Sequence, residues 1–176
     1  MLELFHKMQD CGVCPSPQTY TILLAGIFKI KKFGEAMTLF QEMEDKKLDH
    51  DIVIYSILID GLCNTNKLAA AIELFNSLPL KGMQPNVLTY TIMIKGLCKE
   101  GLINEACELL EKMDENGCSL NDRTYNTLIQ GLLQQNETSK AMELVKIMVG
   151  KGFSANVSTA YMLIDLLSTD PRDKST

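Results

Sequence analysis

Two cysteines near the amino-terminal end, Cys11 and Cys14, have the C-x-x-C spacing of a zinc site or a redox pair. No second pair follows, and His6 is the only nearby residue that could add a third ligand. A structural zinc ion takes four protein ligands. We therefore expect no metal and no cofactor at this motif, which the sequence places in a turn between two helical segments.

The sequence also lacks the patterns that assemble a catalytic site. It has two histidines, and it contains neither a glycine-rich phosphate loop nor a nucleophile elbow. The H-x-E signature of zinc deaminases, with its following cysteine pair, is missing as well. Cys63 and Cys98 fall in apolar helical stretches, which predicts reduced core thiols. We expect a protein without intrinsic catalysis and without a small-molecule substrate.

Charge and hydropathy limit the partners that the chain can take. The 176 residues are 46% hydrophobic, but no apolar run reaches the roughly 18 residues that a membrane span needs. We therefore expect a soluble chain without a membrane partner. The net charge is −5. Indiscriminate binding to nucleic acid relies on dense Lys and Arg, so this acidity argues against it.

Three residue types recur every 35 residues, and this repeat is the strongest structural signal in the sequence. Within the third unit, apolar residues from Tyr90 to Cys98, and again from Ile103 to Met113, follow the spacing of one helix face. A break at Gly101 separates the two segments, so each unit is predicted to be a helical hairpin. The recurrent residues are Tyr20, Tyr55, Tyr90 and Tyr125; Gly26, Gly61, Gly96 and Gly131; and Ala36, Ala71, Ala106 and Ala141.

One hairpin cannot bury both of its faces, so successive hairpins must stack. Glycine and alanine at fixed places in the helices allow neighbouring helices to approach closely. The predicted fold is all-α, a right-handed superhelical solenoid of 35-residue helix-turn-helix repeats with a concave groove. We expect one domain over residues 1–176. It consists of a partial repeat at 1–16 (second helix only), complete repeats at 17–51, 52–86, 87–121 and 122–156, a partial repeat at 157–169 (first helix) and a polar tail at 170–176.

The two partial repeats leave apolar stacking surfaces near both ends of the chain. We expect these surfaces to support head-to-tail homo-oligomers. The pattern also suggests part of a longer array, in which case an organelle transit peptide would not be present in this chain.

Two stretches of the chain resemble the pentatricopeptide repeat (PPR): VLTYTIMIKGLCKEGLINEACELLEKM and DRTYNTLIQGLLQQNETSKAMELVKIM. Both show its Tyr and are followed by its closing Met-x-x-x-Gly, and the first also contains its GLCK and Glu-Ala. Tetratricopeptide repeats have 34 residues and a Trp-containing signature, whereas this chain has no Trp. The resemblance covers about residues 1 to 168. The chain is similar to the P-class of PPR proteins in plant organelles, including fertility-restorer-like members. The resemblance implies a mitochondrial protein, or alternatively a chloroplast protein.

PPR proteins read single-stranded RNA, and the family assigns one base to each repeat. The resemblance implies a base-selecting pair in every unit, formed by the residue directly after Tyr and the last residue of the unit. All eight side chains are small, polar and able to form hydrogen bonds. The pairs are Thr21 with Asp51, Ser56 with Asn86, Thr91 with Asn121, and Asn126 with Asn156.

The chemistry of each pair suggests a base. A carboxylate that only accepts hydrogen bonds suits the N–H edge of guanine, so Thr21 with Asp51 predicts G. An amide both donates and accepts, so the two pairs that combine a hydroxyl with Asn predict A. The bulkier pair, Asn126 with Asn156, predicts C or U. With the polarity known for the family, the predicted site is 5′-G-A-A-(C/U)-3′.

The family also places an apolar residue two positions before Tyr, where it sandwiches bases. Val53 and Leu88 match this pattern, whereas Gln18 and Arg123 depart from it. An Arg side chain can still stack on a base through its guanidinium plane.

In the family, a Lys near the end of the first helix contacts a phosphate group of the RNA backbone. Lys29 and Lys99 match, whereas Asn64 and Gln134 replace it in the other units. Basic and acidic side chains nearly balance in the predicted first helices, and the acidity concentrates in the second helices. An inner surface close to neutral is compatible with RNA binding of moderate strength.

The resemblance therefore implies sequence-selective binding of single-stranded RNA, in support of RNA processing, stability or translation in an organelle. Two alternatives stay open at this point. One is a helical-repeat scaffold for protein interactions, and the other is a truncated PPR piece with no autonomous RNA binding.

Overall fold

The secondary structure of the described residues is helical and contains no strand. The structure is a computed structural model that describes Phe5, Lys7, Leu48 and residues 11–12, 15–46 and 50–169. His6, Cys14, the tail 170–176 and most of segment 1–16 lie outside the described residues. The helices are α1 (Pro17–Lys29), α2 (Phe33–Asp45), α3 (Ile52–Asn64), α4 (Leu68–Ser77), α5 (Val87–Lys99), α6 (Ile103–Glu115), α7 (Asp122–Gln134), α8 (Thr138–Gly150) and α9 (Val157–Thr169), with a 3₁₀ turn at Pro79–Lys81.

The chain forms two compact units, divided between Met93 and Ile94 within α5. In unit 1, α1 packs on α2 and on α3, and α3 packs on α4. In unit 2, α7 packs on α6, α8 and α9. Both units thus join helices of one hairpin and helices of successive hairpins. None of the described helices combines the length and apolar character needed to cross a bilayer.

Residues with a left-handed backbone mark the turns on both sides of the helices. A positive φ costs little free energy at Gly, and Asn adopts a positive φ more readily than most other residue types. The turns inside the hairpins contain Lys31, Asn66, Gly101 and Asn136, with φ of 60°, 57°, 77° and 60°. Turns between hairpins contain Gly12, Gly82, Gly117 and Gly152, with φ of 76°, 74°, 72° and 84°. Gly117, just after the end of α6, thus has the left-handed conformation typical of a helix C-terminal cap.

The recurrent tyrosines are core residues. They expose 0%, 2%, 5% and 1% of their surface at Tyr20, Tyr55, Tyr90 and Tyr125. In unit 1 each ring meets the edge of a Phe ring 15 residues earlier in the sequence. The centroid distances are 5.1 Å for Phe5 and Tyr20, 6.0 Å for Phe40 and Tyr55, and 5.4 Å for Phe75 and Tyr90. The sequence repeat is therefore a repeat of aromatic packing.

Gly61 and Gly131 lie where successive first helices approach closely. Phe28 of α1 contacts Gly61 of α3, and Cys98 of α5 contacts Gly131 of α7. A Cβ at either glycine would overlap with the side chain that faces it. The packing reason predicted for the recurrent glycines is confirmed at these two positions.

The cysteines in the apolar helices are core residues, as the sequence predicts. Cys63 and Cys98 are both buried. Burial raises the pKa of the Cys98 thiol to about 12, with a smaller contribution from the nearby Cys107. Burial also raises the pKa of Cys107, although Lys140 acts in the opposite direction.

Replacing Gly131 with Ala tests the close approach of α5 and α7. The added methyl group would overlap with Cβ of Cys98, which is fixed to its helix backbone. Overpacking of this kind costs about 1 to 3 kcal/mol, and the better helix propensity of Ala returns about 1 kcal/mol of it. We expect the free energy of unfolding, measured by urea denaturation, to fall by up to about 2 kcal/mol.

The matched control for this substitution is Gly150→Ala, at a helical position with open space around it. This variant should be as stable as the parent protein or slightly more stable. Equal stability of the two variants would contradict the packing described for Gly131.

The reactivity of Cys98 tests its burial. Because its pKa is about 12, almost no thiolate is present near pH 8, and the thiolate is the species that reacts. Iodoacetamide should label Cys98 about 100-fold more slowly than the exposed Cys11 in the folded protein, and equally fast in urea. Peptide mass spectrometry after timed quenching measures both rates. Fast labelling of Cys98 in the folded protein would show that the thiol is accessible.

Candidate nucleic-acid interface

The last residue of each predicted unit caps the helix that follows it. Asp51 accepts hydrogen bonds through Oδ1 from two backbone N–H groups of α3, both at 3.0 Å. Asn86, Asn121 and Asn156 accept through Oδ1 from the backbone N–H three residues later, at 3.0, 3.0 and 2.9 Å. This hydrogen bond is by itself a sufficient reason for Asp or Asn to be favoured at a helix N-cap. The polar character of these four residues therefore has a structural cause that sequence reasoning missed.

The capping bond also determines which atom each side chain offers to a ligand. A backbone N–H needs an acceptor, so the carbonyl oxygen Oδ1 of each asparagine points to the helix. Asn121 and Asn156 are exposed and Asn86 is half-buried, and in each the cap leaves Nδ2 as the side-chain donor. The exposed Asp51 offers its second carboxylate oxygen, which only accepts.

The residue directly after each Tyr is directed toward the protein. Ser56, Thr91 and Asn126 expose 1%, 5% and 1% of their surface, and Thr21 is half-buried. All four donate a hydrogen bond to the backbone carbonyl four residues earlier, at 2.8 Å for Thr21, 2.7 Å for Ser56 and Thr91, and 2.6 Å for Asn126. Sequence reasoning placed these side chains against a base, and that contact stays a prediction.

In the fourth unit, a network of side-chain amides joins both members of the pair. Asn126 accepts from the backbone N–H of Asn156 at 2.8 Å and donates to the carbonyl of Ser154 at 2.9 Å. Gln130 donates to Asn156 Oδ1 at 3.1 Å and to Thr159 Oγ1 at 2.8 Å. Asn156 is therefore held in one orientation. Sequence reasoning missed Gln130, whose signal is its place four residues after Asn126 on the same helix face.

In the second unit, a threonine connects the two members of the pair. Ser56 Oγ lies 2.8 Å from Thr89 Oγ1, and Thr89 Oγ1 donates to Asn86 Oδ1 at 3.0 Å. Thr89 is fully buried, as are Thr124 and Thr159 at the equivalent places of the later units. Their spacing of 35 residues was the sequence signal that could have identified them.

The four positions predicted to sandwich bases are exposed. Val53 and Leu88 expose 43% and 40% of their surface, although both are apolar. Gln18 and Arg123 are exposed as well. Their side chains are therefore accessible to a ligand, and the sandwich itself stays a prediction. Lys29, predicted to meet phosphate, is exposed in the last turn of α1.

Unit 2 contains an open groove of about 380 Å³ lined by basic and amide side chains. Lys95 and Lys99 of α5, one helical turn apart, line this basic groove together with Arg123 of α7. Among its described lining residues there is no Asp or Glu. Lys99, Arg123 and Asn156, which the sequence assigned to phosphate, stacking and base selection, are brought together here. Lys95 was not assigned a role, although it lies four residues after Thr91.

The metal prediction concerned the C-x-x-C motif, of which Cys11 is an exposed free thiol and Cys14 lies outside the described residues. Within the residues that the structure describes, no three His, Cys, Asp or Glu side chains are grouped so that they could hold a metal ion.

Comparison with solved structures gives matches over nearly the whole chain. The pentatricopeptide repeat protein PPR10 in complex with an 18-nt psaJ RNA element has a TM-score of 0.87 and 26% identity, and the match covers 94% of this chain and 24% of that chain. PPR10 from maize matches with a TM-score of 0.79 at the same identity and coverage. This chain therefore spans about a quarter of the length of PPR10.

A third structure shows the same fold at lower identity. It is the PPR domain of Arabidopsis thaliana protein-only RNase P 1 in complex with tRNA, with a TM-score of 0.71 and 16% identity, covering 96% of this chain and 89% of that chain. The predicted fold class, an all-α solenoid of helical hairpins, is confirmed by these matches.

Sequence comparison identifies the family directly. A comparison with curated proteins found no match. The model of the PPR repeat family matches four overlapping stretches, at residues 22–64, 50–99, 93–134 and 123–169. Together these stretches cover well over half of the sequence, and the chain belongs to the PPR repeat family.

Proposed function

We propose that this chain binds single-stranded RNA, with one base for each repeat, and catalyses no reaction. The observation that carries this proposal is the basic groove, where three cationic side chains share a surface with the exposed amide of Asn156. Lys and Arg attract backbone phosphates, and amide groups bond to base edges. PPR10, which is 26% identical over 94% of this chain, has been solved with bound RNA. That complex supports the same class of ligand here.

The local charge favours RNA although the chain is acidic overall. The net charge is −5, whereas the described lining of the basic groove includes Lys95, Lys99 and Arg123 and no acidic side chain. Charges further away than about 8 Å are largely screened at physiological ionic strength. The groove therefore attracts a phosphate backbone locally, while the acidic remainder disfavours indiscriminate binding.

The expected affinity is moderate. Stacking contributes roughly 1 to 3 kcal/mol for each base. Four bases with few phosphate contacts then suggest a Kd around micromolar, or about −8 kcal/mol. Four bases cannot specify a unique transcript, so selective action requires further repeats, oligomerisation or a partner.

The base order 5′-G-A-A-(C/U)-3′ is part of this proposal, with the capping residues as its accessible readers. The exposed acceptor of Asp51 supports guanine at the first base. The Nδ2 donors of the three asparagines support bases that present an acceptor. A role in RNA processing, stability or translation, in the mitochondrion or alternatively the chloroplast, rests on the resemblance to P-class and fertility-restorer-like proteins.

A second candidate function is association with another protein chain, including a second copy of this one. Helix α9 exposes four apolar side chains at the spacing of one helix face. These are Val157, Tyr161, Ile164 and Leu167, which expose 73%, 66%, 56% and 68% of their surface. A chain that associates through α9 but gives no RNA binding in the titrations below would favour this function over the first.

Changing Asn121 to Asp tests the assignment of the third base. The carboxylate still caps α7, but the exposed group changes from a donor to an acceptor. We expect the preference at the third base to move from adenine to guanine by about tenfold, because a correct polar contact to a base contributes about 1 to 3 kcal/mol of discrimination. Fluorescence anisotropy with labelled oligonucleotides that differ only at this base gives the ratio of Kd values.

The matched control is Asn116→Asp, which makes the same chemical change at an exposed residue outside the predicted pairs. It should leave the ratio unchanged. If the unsubstituted protein binds the predicted site no better than a scrambled oligonucleotide, the proposed base order is wrong.

A pair of lysine substitutions tests the basic groove. Replacing Lys95 and Lys99 with Gln should lower RNA affinity and reduce the slope of log K against log salt by about 0.7 for each phosphate contact that is lost. The control replaces Lys112 and Lys146, which are exposed on α6 and α8, and makes the same change in net charge. Titrations between about 50 and 200 mM salt measure both slopes. Equal losses for the two double variants would mean that net charge, and not the groove, governs binding.

A further inference from the structure

Unit 2 contains a second groove, lined by apolar side chains, that takes no part in the proposed RNA binding. It has a volume of about 370 Å³, and residues of α6, α7 and α8 form its walls. Pockets of this size, apolar with a few polar groups, are typical binding sites. We call it the leucine groove, since its apolar lining consists mainly of Leu110, Leu120, Leu128, Leu132, Leu144 and Ile147.

Two polar bridges join α6 to α8 near the two ends of the leucine groove. Lys140 Nζ donates to Asn104 Oδ1 at 3.2 Å, and Lys151 Nζ lies 3.6 Å from Asp114 Oδ2. Asn104 and Asp114 are ten residues apart on α6, which corresponds to about 15 Å at about 1.5 Å per helical residue. A partner helix lying along the groove would meet both bridges. The groove therefore fits a short projecting turn better than a long helix.

The leucine groove also carries negative charge that is not neutralised within the chain. Glu111 of α6 and Glu143 of α8 both line the groove, and both are exposed. Neither takes part in an ion pair among the described residues, whereas the two lysines of the groove are paired with acidic side chains. An apolar occupant with an adjacent positive charge is therefore complementary to this groove.

The turn between α1 and α2, at residues 30–32, has this combination of groups. Ile30 exposes 62% of its surface although it is apolar. The neighbouring Lys29, Lys31 and Lys32 are exposed as well. Lys32 pairs with Glu35 at 2.6 Å, whereas the other two lysines take part in no ion pair among the described residues. We call these three residues, 30–32, the Ile30 turn.

The backbone of this turn does not explain why residue 31 is a lysine. Lys31 has a φ of 60°, and the equivalent places of the other hairpins are occupied by Asn66, Gly101 and Asn136. Asn and Gly adopt a positive φ more readily than Lys does. The conformation alone would favour one of those residue types, which supports a role for the charge of Lys31.

We propose that the Ile30 turn of one copy of this chain inserts into the leucine groove of a second copy. Ile30 enters among the leucines, and Lys31 approaches Glu111 and Glu143. Because the turn and the groove are different surfaces, the contact is heterologous and joins copies head to tail. The association uses neither the basic groove nor helix α9, and it does not depend on RNA binding.

Substitutions on either side of the contact should weaken self-association, measured as a Kd by sedimentation equilibrium. Ile30→Ser removes the apolar side chain and should raise the Kd at least about tenfold. Lys31→Glu should raise it about tenfold, because like charges then meet. The groove variant, Glu111→Lys together with Glu143→Lys, should have a similar effect. Combining Lys31→Glu with the groove variant in one chain should restore association, since the charges are then exchanged.

A mixture of two weakened variants tests whether the contact joins different surfaces. The Ile30→Ser chain keeps an intact groove, and the groove variant keeps an intact turn. The mixture should therefore form a heterodimer with the Kd of the unsubstituted contact, and no larger species. An interface that uses the same surface on both copies would give no such recovery.

The matched controls are Leu80→Ser and Lys81→Glu, which make the same changes in the turn at Pro79–Lys81, where Leu80 is 90% exposed. Both should leave the Kd unchanged. An unsubstituted chain that stays monomeric at about 1 mM, the Kd of a very weak complex, would overturn the proposal. So would association that Ile30→Ser leaves unchanged, including association lost in Tyr161→Ser of α9, or a mixture without recovery. Failure of the RNA titrations would instead reject the function proposed above and leave this contact untouched.

Discussion

The hydrogen bond between a capping side chain and the first turn of each first helix is the constraint on which the rest of this structure depends. Backbone N–H groups at a helix start have no partner within the helix. Asp51, Asn86, Asn121 and Asn156 supply the missing acceptor. Because Oδ1 is committed to the helix, the opposite atom of the same side chain is directed away from it. One residue therefore sets where a repeat begins and which polar atom the repeat offers.

This constraint divides the predicted base-selecting pairs into two kinds of residue. The capping members are exposed or half-buried, whereas Ser56, Thr91 and Asn126 are buried and bond to the protein. Under the proposed function, the capping member of each pair is the one already accessible to a base, and the buried member bonds to the backbone of its own helix. The cationic residues of the basic groove add attraction that depends on no particular base.

The fold could be predicted because its signals are local or strictly periodic. The recurrence of Tyr20 and its equivalents predicted the hairpins, and the break at Gly101 separates α5 from α6 in the structure. The site was predicted only as a set of positions. Contacts such as Ser56 with Thr89 join residues 33 positions apart and follow from packing between hairpins, which no local spacing encodes. For a similar reason no site role was predicted for Lys95, because only the fold brings it close to Arg123 in the basic groove.

The central claim is that exposed capping amides meet the RNA while the buried amide of Asn126 does not. Side-chain amide resonances in a ¹H–¹⁵N spectrum, followed during titration with the predicted four-base RNA, test this claim most directly. The account predicts that the Nδ2 resonances of Asn121 and Asn156 move progressively and saturate together, with a much smaller change for Asn126. Saturable binding in which Asn126 moves most, or in which Asn121 and Asn156 do not move, would contradict it.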